Sequence, residues 1–275
     1  MTPTVSHDAE DLERAALEDL HLAALPAVRA ALAIQGLRIG GAFVSVAGRL
    51  PASAVVVNRA IGVGLSAPET EETEETVGDM LAAYRRAGVA RYFIQRHPDA
   101  APPHLTEWLV AAGLEKARGW QKFARGREAV EERPTDLTIR EVGPADGIAF
   151  GRIVCDAFDL GEAAVPWLAA LPTRPDWHVF MSFDGAAPAG TGALFVQGDL
   201  AWTDFGATAP DFRRRGSQGA LLAHRVRHAL DLGCRRIFTC TGEDVPGDPQ
   251  HSYKNILRAG FREDYVRENY APPQP

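Results

Sequence analysis

Residues 208–220 read Thr-Ala-Pro-Asp-Phe-Arg-Arg-Arg-Gly-Ser-Gln-Gly-Ala, where a β-rich run passes into a helical pattern. Two glycines in such a loop let backbone N–H groups turn inward. The helix that follows adds its unpaired first-turn N–H groups and the positive end of its dipole. That chemistry holds a phosphate or a pyrophosphate. Charge points the same way: from Arg213 to Arg236 there are seven arginines and one acid, Asp231, a local +6 in a chain whose formal charge is −7. Such a field suits a small polyanion better than a nucleic-acid groove. No Gly-Lys-Ser/Thr follows the glycines, which disfavours a nucleotide-hydrolysing P-loop.

The elements that must position this loop are legible around it. Trp177 to Phe183 is β-rich and ends at the turn signal Asp184-Gly185; Gly190 to Val196 gives a second strand, Gln197-Gly198-Asp199 a second turn, and Leu200 to Thr208 a third strand. After the loop, Leu222, Val226, Ala229 and Leu230 share one helix face, and Gly233 stops the helix. Ile237 to Thr241 reads as a short buried strand and Ser252 to Ala259 as a helix closed by Gly260. A mixed α/β fold follows.

The first part of the chain repeats this plan. Ala87 to Ile94 (AGVARYFI) matches Leu232 to Thr239 (LGCRRIFT) at an offset of 145, and His104 to Leu114 (HLTEWLVAAGL) faces His251 to Phe261 (HSYKNILRAGF) at 147. The charged, proline-containing segment Gly126 to Asp136 between the copies reads as the linker, giving halves at 1–130 and 131–275. A length of 275 residues accommodates two ordinary domains, and 46% apolar with 24% charged residues is a globular balance. Three cysteines are too few for a disulfide framework. No apolar run approaches a membrane span, and Met1 to Leu17 is too acidic for a signal peptide. The expectation is a cytoplasmic protein, monomer or homodimer, with no membrane or nucleic-acid partner.

The loop resembles the acyl-CoA pyrophosphate loop of the GCN5-related N-acetyltransferase (GNAT) superfamily, Arg/Gln-x-x-Gly-x-Gly/Ala after a strand ending Val-x-Pro. Thr208-x-Pro210 and Arg213-x-x-Gly216 fit the pattern; its last position is Gln218, with Gly219-Ala220 next. The similarity runs from about Asp136 to Tyr270 and takes in Asn255 and Ala259-Gly260-Phe261. It implies two tandem GNAT-like domains, each a mixed, mostly antiparallel sheet flanked by helices. It also implies an acetyl-CoA site, with backbone at Ala207 and Thr208 meeting the pantetheine arm and Asn255 near the pantetheine or thioester. Backbone N–H groups from Arg214 through Arg215, Gly216, Ser217 and Gln218 to Gly219 would cradle the pyrophosphate beside Arg213. In the first half the equivalent loop, Ser66 to Glu75, carries five glutamates and no glycine, and Trp108 stands opposite Asn255. Like charges would repel a pyrophosphate, so that half reads as a degenerate copy that packs or walls the substrate cleft.

Acetyl transfer to an amine needs a base for the amine and a proton for the leaving thiolate. Asp204, which by alternation shares a face with Trp202 and Gly206, and Glu243, just after the next strand, are candidate bases. Either could equally be an acid at a sheet rim bonded to backbone or arginine. The superfamily's usual tyrosine position holds Ile256 here; Tyr253 and Ser252 are nearby substitutes, or ordinary helix residues, and solvent can also return a proton. His224 and His228 sit at i and i+4 without a glutamate between them and beside arginines, which reads as a helix face and not a metal site. Cys234 and Cys240 flank a buried strand as small core residues or half of a Cys–His pair, and Trp167 and Trp177 are core or acceptor-cleft residues. Specificity is expected from loops 155–176 and 243–250. The leading expectation is an N-acetyltransferase acting on a small-molecule amine in a ternary complex. The alternative is a non-catalytic acyl-CoA-binding regulatory module.

Overall fold

A computed structural model describes residues 7–65 and 72–274. The first-half loop compared above with the phosphate loop therefore lies mostly outside the described residues. Helices α1 (Asp8–Ala23) and α2 (Pro26–Leu32) precede strands β1 (Ile34–Ile39), β2 (Ala42–Ala47) and β3 (Arg59–Val63). Then come α3 (Glu74–Arg86), β4 (Phe93–Arg96), α4 (Leu105–Ala111) and β5 (Glu115–Arg125). The second half runs β6 (Thr138–Glu141), α5 (Gly147–Ala157), α6 (Val165–Leu168), β7 (Trp177–Asp184), β8 (Ala187–Gln197) and β9 (Leu200–Thr208). It closes with α7 (Ser217–Asp231), β10 (Arg236–Gly242), α8 (His251–Arg258) and β11 (Arg262–Ala271).

The repeat is real in the fold. β1, β2 and β3 form an antiparallel meander, β4 lies parallel to β3 after a helix, and a second helix leads to β5. The order β7, β8, β9, α7, β10, α8, β11 copies it, with β10 parallel to β9. The two sheets join edge to edge into one of eleven strands, ordered β1-β2-β3-β4-β11-β5-β10-β9-β8-β7-β6. Each half lends its last strand to the other: β11 pairs with β4, β5 pairs with β10, and the two run antiparallel to each other in between. The exchange removes two sheet edges that separate domains would have to protect.

Alternation divides the faces. Val179, Met181, Trp202 and Phe238 point to one side with α1, α5 and α6. Their neighbours Phe180, Ala201 and Ile237 point to the other with α7 and α8. Helices α3 and α4 cover the first half through Val44, Ala60 and Ile94. A charged knot pins α1 across the join. Glu10 and Glu13 of α1 pair with Lys122 of β5 and Arg267 of β11, and Glu13 also with Arg59 of β3. All five are buried. Burial alone would raise the two carboxyls; Arg267 and Lys122 reverse that and hold both below the usual range. Among the described residues, no helix is long and apolar enough to cross a membrane.

Candidate functional site

β9 and β10 pair only at Leu200–Arg236, Ala201–Ile237 and Trp202–Phe238. Beyond Trp202, β9 bulges: Phe205 takes a left-handed φ of 49°, the register against β8 shifts, and Thr191 Oγ1 holds the Phe205 carbonyl at 2.9 Å. From there β9 follows β8 while β10 follows β5, so the sheet splits. A cavity of about 280 Å³ fills the split. Gln218, Leu222 and Asn255 of α7 and α8 line it on one face of the sheet; Leu17 and Leu20 of α1, with Trp177, line it on the other. The cavity therefore crosses the sheet.

The loop opens on the α7–α8 side. Arg214 and Gly216 both adopt left-handed φ, 64° and 82°. At Gly216 a Cβ would also collide with the Pro134 carbonyl oxygen, so glycine is required twice over. Helix α7 starts at Ser217 with no side-chain cap, because its capping position is Gly216; the Ser217 hydroxyl itself is buried against Ser182 Oγ at 2.7 Å. Its first-turn N–H groups are thus open, and among the described residues those of Arg214, Arg215 and Gly216 donate to no protein acceptor. Gln218, the departure from the superfamily pattern, accepts from Asn255 Nδ2 at 2.8 Å and donates to Ser252 Oγ at 3.0 Å, tying α7 to α8.

The local field is narrower than the arginine count implies. Arg215 is held by Asp136 and Asp184 at 2.5 and 2.7 Å, Arg227 by Glu132, and Arg235 and Arg236 by Asp8. Arg225 is buried beneath β8 and β9, bonded to the Ala193 and Asp204 carbonyls, and burial brings it down to about 10. Arg213 and Arg214 stay exposed and without a partner among the described residues.

On the α1 side, Asp204 lines the cavity beside Trp202, whose Nε1 donates to Asp204 Oδ2 at 3.1 Å; the Phe205 N–H donates to Oδ1 at 2.7 Å. Burial raises its carboxyl above the ordinary aspartate value despite those bonds. Glu243 lies elsewhere, its Oε2 accepting the Gly119 N–H of β5 at 3.1 Å. Tyr253 faces away into the α7–α8 core, packs on Phe123 and donates to Glu263 at 2.6 Å. Ser252, Asn255 and Ile256 of the same helix do line the cavity. So does Cys240, its thiol pushed up by burial to about 12, while Cys234 is core.

His224 and His228 both meet Phe180 edge-to-face, and His228 Nε2 meets His178 Nδ1 at 3.1 Å, with Glu141 beyond. Trp177 lines the cavity; Trp167 is wholly buried and donates to the Leu20 carbonyl. The sequence reading missed α1 and the segment Val56–Arg59, which supply first-half walls of the cavity. The available signal was a set of polar residues, Glu10, Glu13, Asp19 and His21, set among the apolar residues of one helix face.

The corresponding place in the first half is filled. Matching Phe93 to Phe238 puts Gly64 of the first half where the second has Ala207. The buried Glu72 carboxylate accepts the N–H groups of Gly64 and Gly41 at 3.4 and 3.2 Å. Helix α3 is also capped, through a reciprocal Thr73–Thr76 pair.

No family model matches the chain. No curated protein matches it either. Solved structures do. A GCN5-related N-acetyltransferase from Kribbella flavida superposes with a TM-score of 0.60 at 16% identity, over 93% of this chain and 96% of that one. A GCN5-related N-acetyltransferase from Sphaerobacter thermophilus gives 0.55 at 16%, over 78% and 71%. A tandem GNAT protein from the clavulanic acid biosynthesis pathway gives 0.52 at 14%, over 73% and 70%. The chain has the GNAT fold.

Proposed function

We propose that the chain moves an acetyl group from acetyl-CoA to the amine of a small molecule, by direct attack in a ternary complex. The observation that carries this reading is the cavity through the split sheet, which joins an uncapped helix start on one face to a buried carboxyl, Asp204, on the other. The second half, 131–275, holds the cofactor. The first half, 1–130, is a degenerate copy that walls the acceptor side with α1.

The residues present fit acetyl-CoA. The open N–H groups from Arg214 to Gly219 suit a pyrophosphate, with Arg213 and Arg214 supplying charge. The backbone of Ala207 and Thr208, on the part of β9 that β10 leaves, suits a pantetheine amide, and Asn255 lies across the cavity. Bound there, acetyl-CoA supplies a thioester carbonyl activated for attack. Asp204 takes the proton from the incoming amine at a carboxylate oxygen, its raised pKa favouring that transfer. Trp202 Nε1 and the Phe205 N–H fix the carboxylate's orientation. Leu17, Leu20 and Trp177 exclude water. Cys240 holds its thiol proton at neutral pH, which favours direct attack over an acyl-cysteine. Ile256 offers no proton to the departing thiolate, which leaves Ser252 or solvent.

The test is release of free thiol from acetyl-CoA across a panel of amines. Release with any amine, dependent on Asp204, supports the transferase. Acetyl-CoA binding with no release across the panel supports the regulatory module, for which the apolar Ile256 is the favouring observation.

A further inference from the structure

Beside the cavity the buried cations outnumber the carboxylates only when the groups behind its walls are counted. Glu10 and Glu13 face three cations, Arg59, Lys122 and Arg267, all out of water. Both carboxylates stay ionised, so these five side chains sum to +1. Arg225 adds a second buried positive charge, bonded only to carbonyl oxygens. Asp204 is the other acid beside Glu13 among the cavity's walls. Of these groups only Arg59, Glu13, Arg225 and Asp204 line the cavity; Glu10, Lys122 and Arg267 stand behind them.

The donors are specific. Arg59 spends Nε on the Val56 carbonyl at 2.9 Å and Nη1 on Glu13 and Gln95. Its Nη2 meets no acceptor among the described residues, although the side chain is 4% exposed and lines the cavity. The guanidinium lies over the Trp120 ring, its Cζ 5.1 Å from the ring centroid. Asp204 lines the same cavity and lies close enough for Arg59 to act on its carboxyl. Phe158, Trp177 and Trp202 are aromatic walls of the same cavity. A ligand that satisfies all of this carries an anionic oxygen for Arg59, an amine for Asp204 and a flat or branched apolar body. An amine alone would leave Arg59 Nη2 without an acceptor.

We propose that the acceptor is a free amino acid with an aromatic or branched apolar side chain, its carboxylate received by Arg59 Nη2. What happens to the amine rests on the acetyltransferase reading; the carboxylate site does not. Arg59 is a specificity residue here, not a catalytic one.

The experiment uses matched pairs on the full chain: phenylalanine with phenethylamine, tryptophan with tryptamine, leucine with isopentylamine, and 3-phenylpropanoate as the carboxylate without the amine. Thiol release from acetyl-CoA should favour the amino acid in at least one pair by roughly 10- to 100-fold in kcat/KM, the range for a charge-assisted hydrogen bond. The amino acid and 3-phenylpropanoate should each raise the thermal midpoint without acetyl-CoA and compete with each other. Arg59→Gln should erase the preference within the pair while acetyl-CoA binding persists. Should that variant not fold, the wild-type pairs decide alone. Preference for the decarboxylated amine in every pair, or no binding of any carboxylate probe, overturns the proposal. Carboxylate binding without acetyl-CoA binding would overturn the acetyltransferase reading instead and leave this site standing.

Discussion

Trp202 and Phe238 are the last residues to face each other across β9 and β10, and both point to the α1 face of the sheet. Two residues further along β9, Asp204 stands in the opening that their strands make, hydrogen-bonded to the Trp202 ring. The end of strand pairing and the position of the buried carboxyl are thus one event in the fold. The bulge at Phe205 produces the split, and the indole of the last paired residue orients the acid.

Asp204→Asn tests the carboxyl directly. The amide keeps an oxygen for Trp202 or Phe205 but cannot take a proton, so thiol release should fall by about 100- to 10,000-fold with acetyl-CoA binding intact. In the unaltered protein kcat/KM should rise with pH as Asp204 ionises, with that limb displaced above the usual aspartate range because burial raises its pKa. A rate unchanged in the variant removes Asp204 from the chemistry.

Arg213→Glu with Arg214→Glu tests the loop. Both side chains are exposed and make no contact that folding depends on, so the unfolding free energy should stay within about 0.5 kcal/mol of the parent. Acetyl-CoA affinity should fall by about 100-fold or more at low salt and recover partly as salt screens the repulsion. A substitution at Gly216 is the poorer probe, since its left-handed φ and the Pro134 carbonyl make any side chain disturb the fold. Affinity that ignores both charge reversals moves the phosphate site elsewhere.

The strand, the turn and the helix around residues 208–220 were readable because what they need is local: two glycines, a β-rich run before and a helical pattern after. The walls that α1 gives the cavity were not. Glu13 reaches Arg59 and Arg267 across 46 and 254 residues, contacts that exist only because α1 crosses the join between exchanged strands. The arginine field was over-read for the same reason. Asp136 and Asp184, 79 and 31 residues from Arg215, neutralise it, and sequence distance carries no trace of that pairing. Local chemistry survives in a sequence; partners brought in by topology do not.

Calorimetric titration should find one acetyl-CoA per chain. In the first half the Glu72 carboxylate already occupies the N–H groups of Gly64 and Gly41, and Thr73 caps the helix that would otherwise present open donors. A second equivalent would show that Glu72 yields to the ligand. Glu72→Gln, which removes the charge and keeps the shape, should not by itself create a second site, because the Thr73 cap remains.

His21 gives the fold an acid limit that is open to measurement. The ring is buried between Phe43 and Trp167, bonded through Nε2 to Ser45 Oγ at 2.7 Å, with Arg29 nearby. Burial first, then the charge on Arg29, lowers its pKa from 6.5 to about 3. The unfolded chain therefore takes the proton first as pH falls. The stability that depends on a neutral His21 is complete above about pH 6.5 and is lost progressively toward pH 3. Between pH 7 and 4.5 this group alone should remove about 2.5–3 kcal/mol, roughly two pH units at about 1.4 kcal/mol each. His21→Gln loses packing and should be less stable at pH 7, yet its stability should fall less steeply over the same interval. Urea denaturation of both proteins at several pH values reads the difference in slope, which also cancels the titration of other groups. Parallel slopes would show that His21 does not set the acid limit.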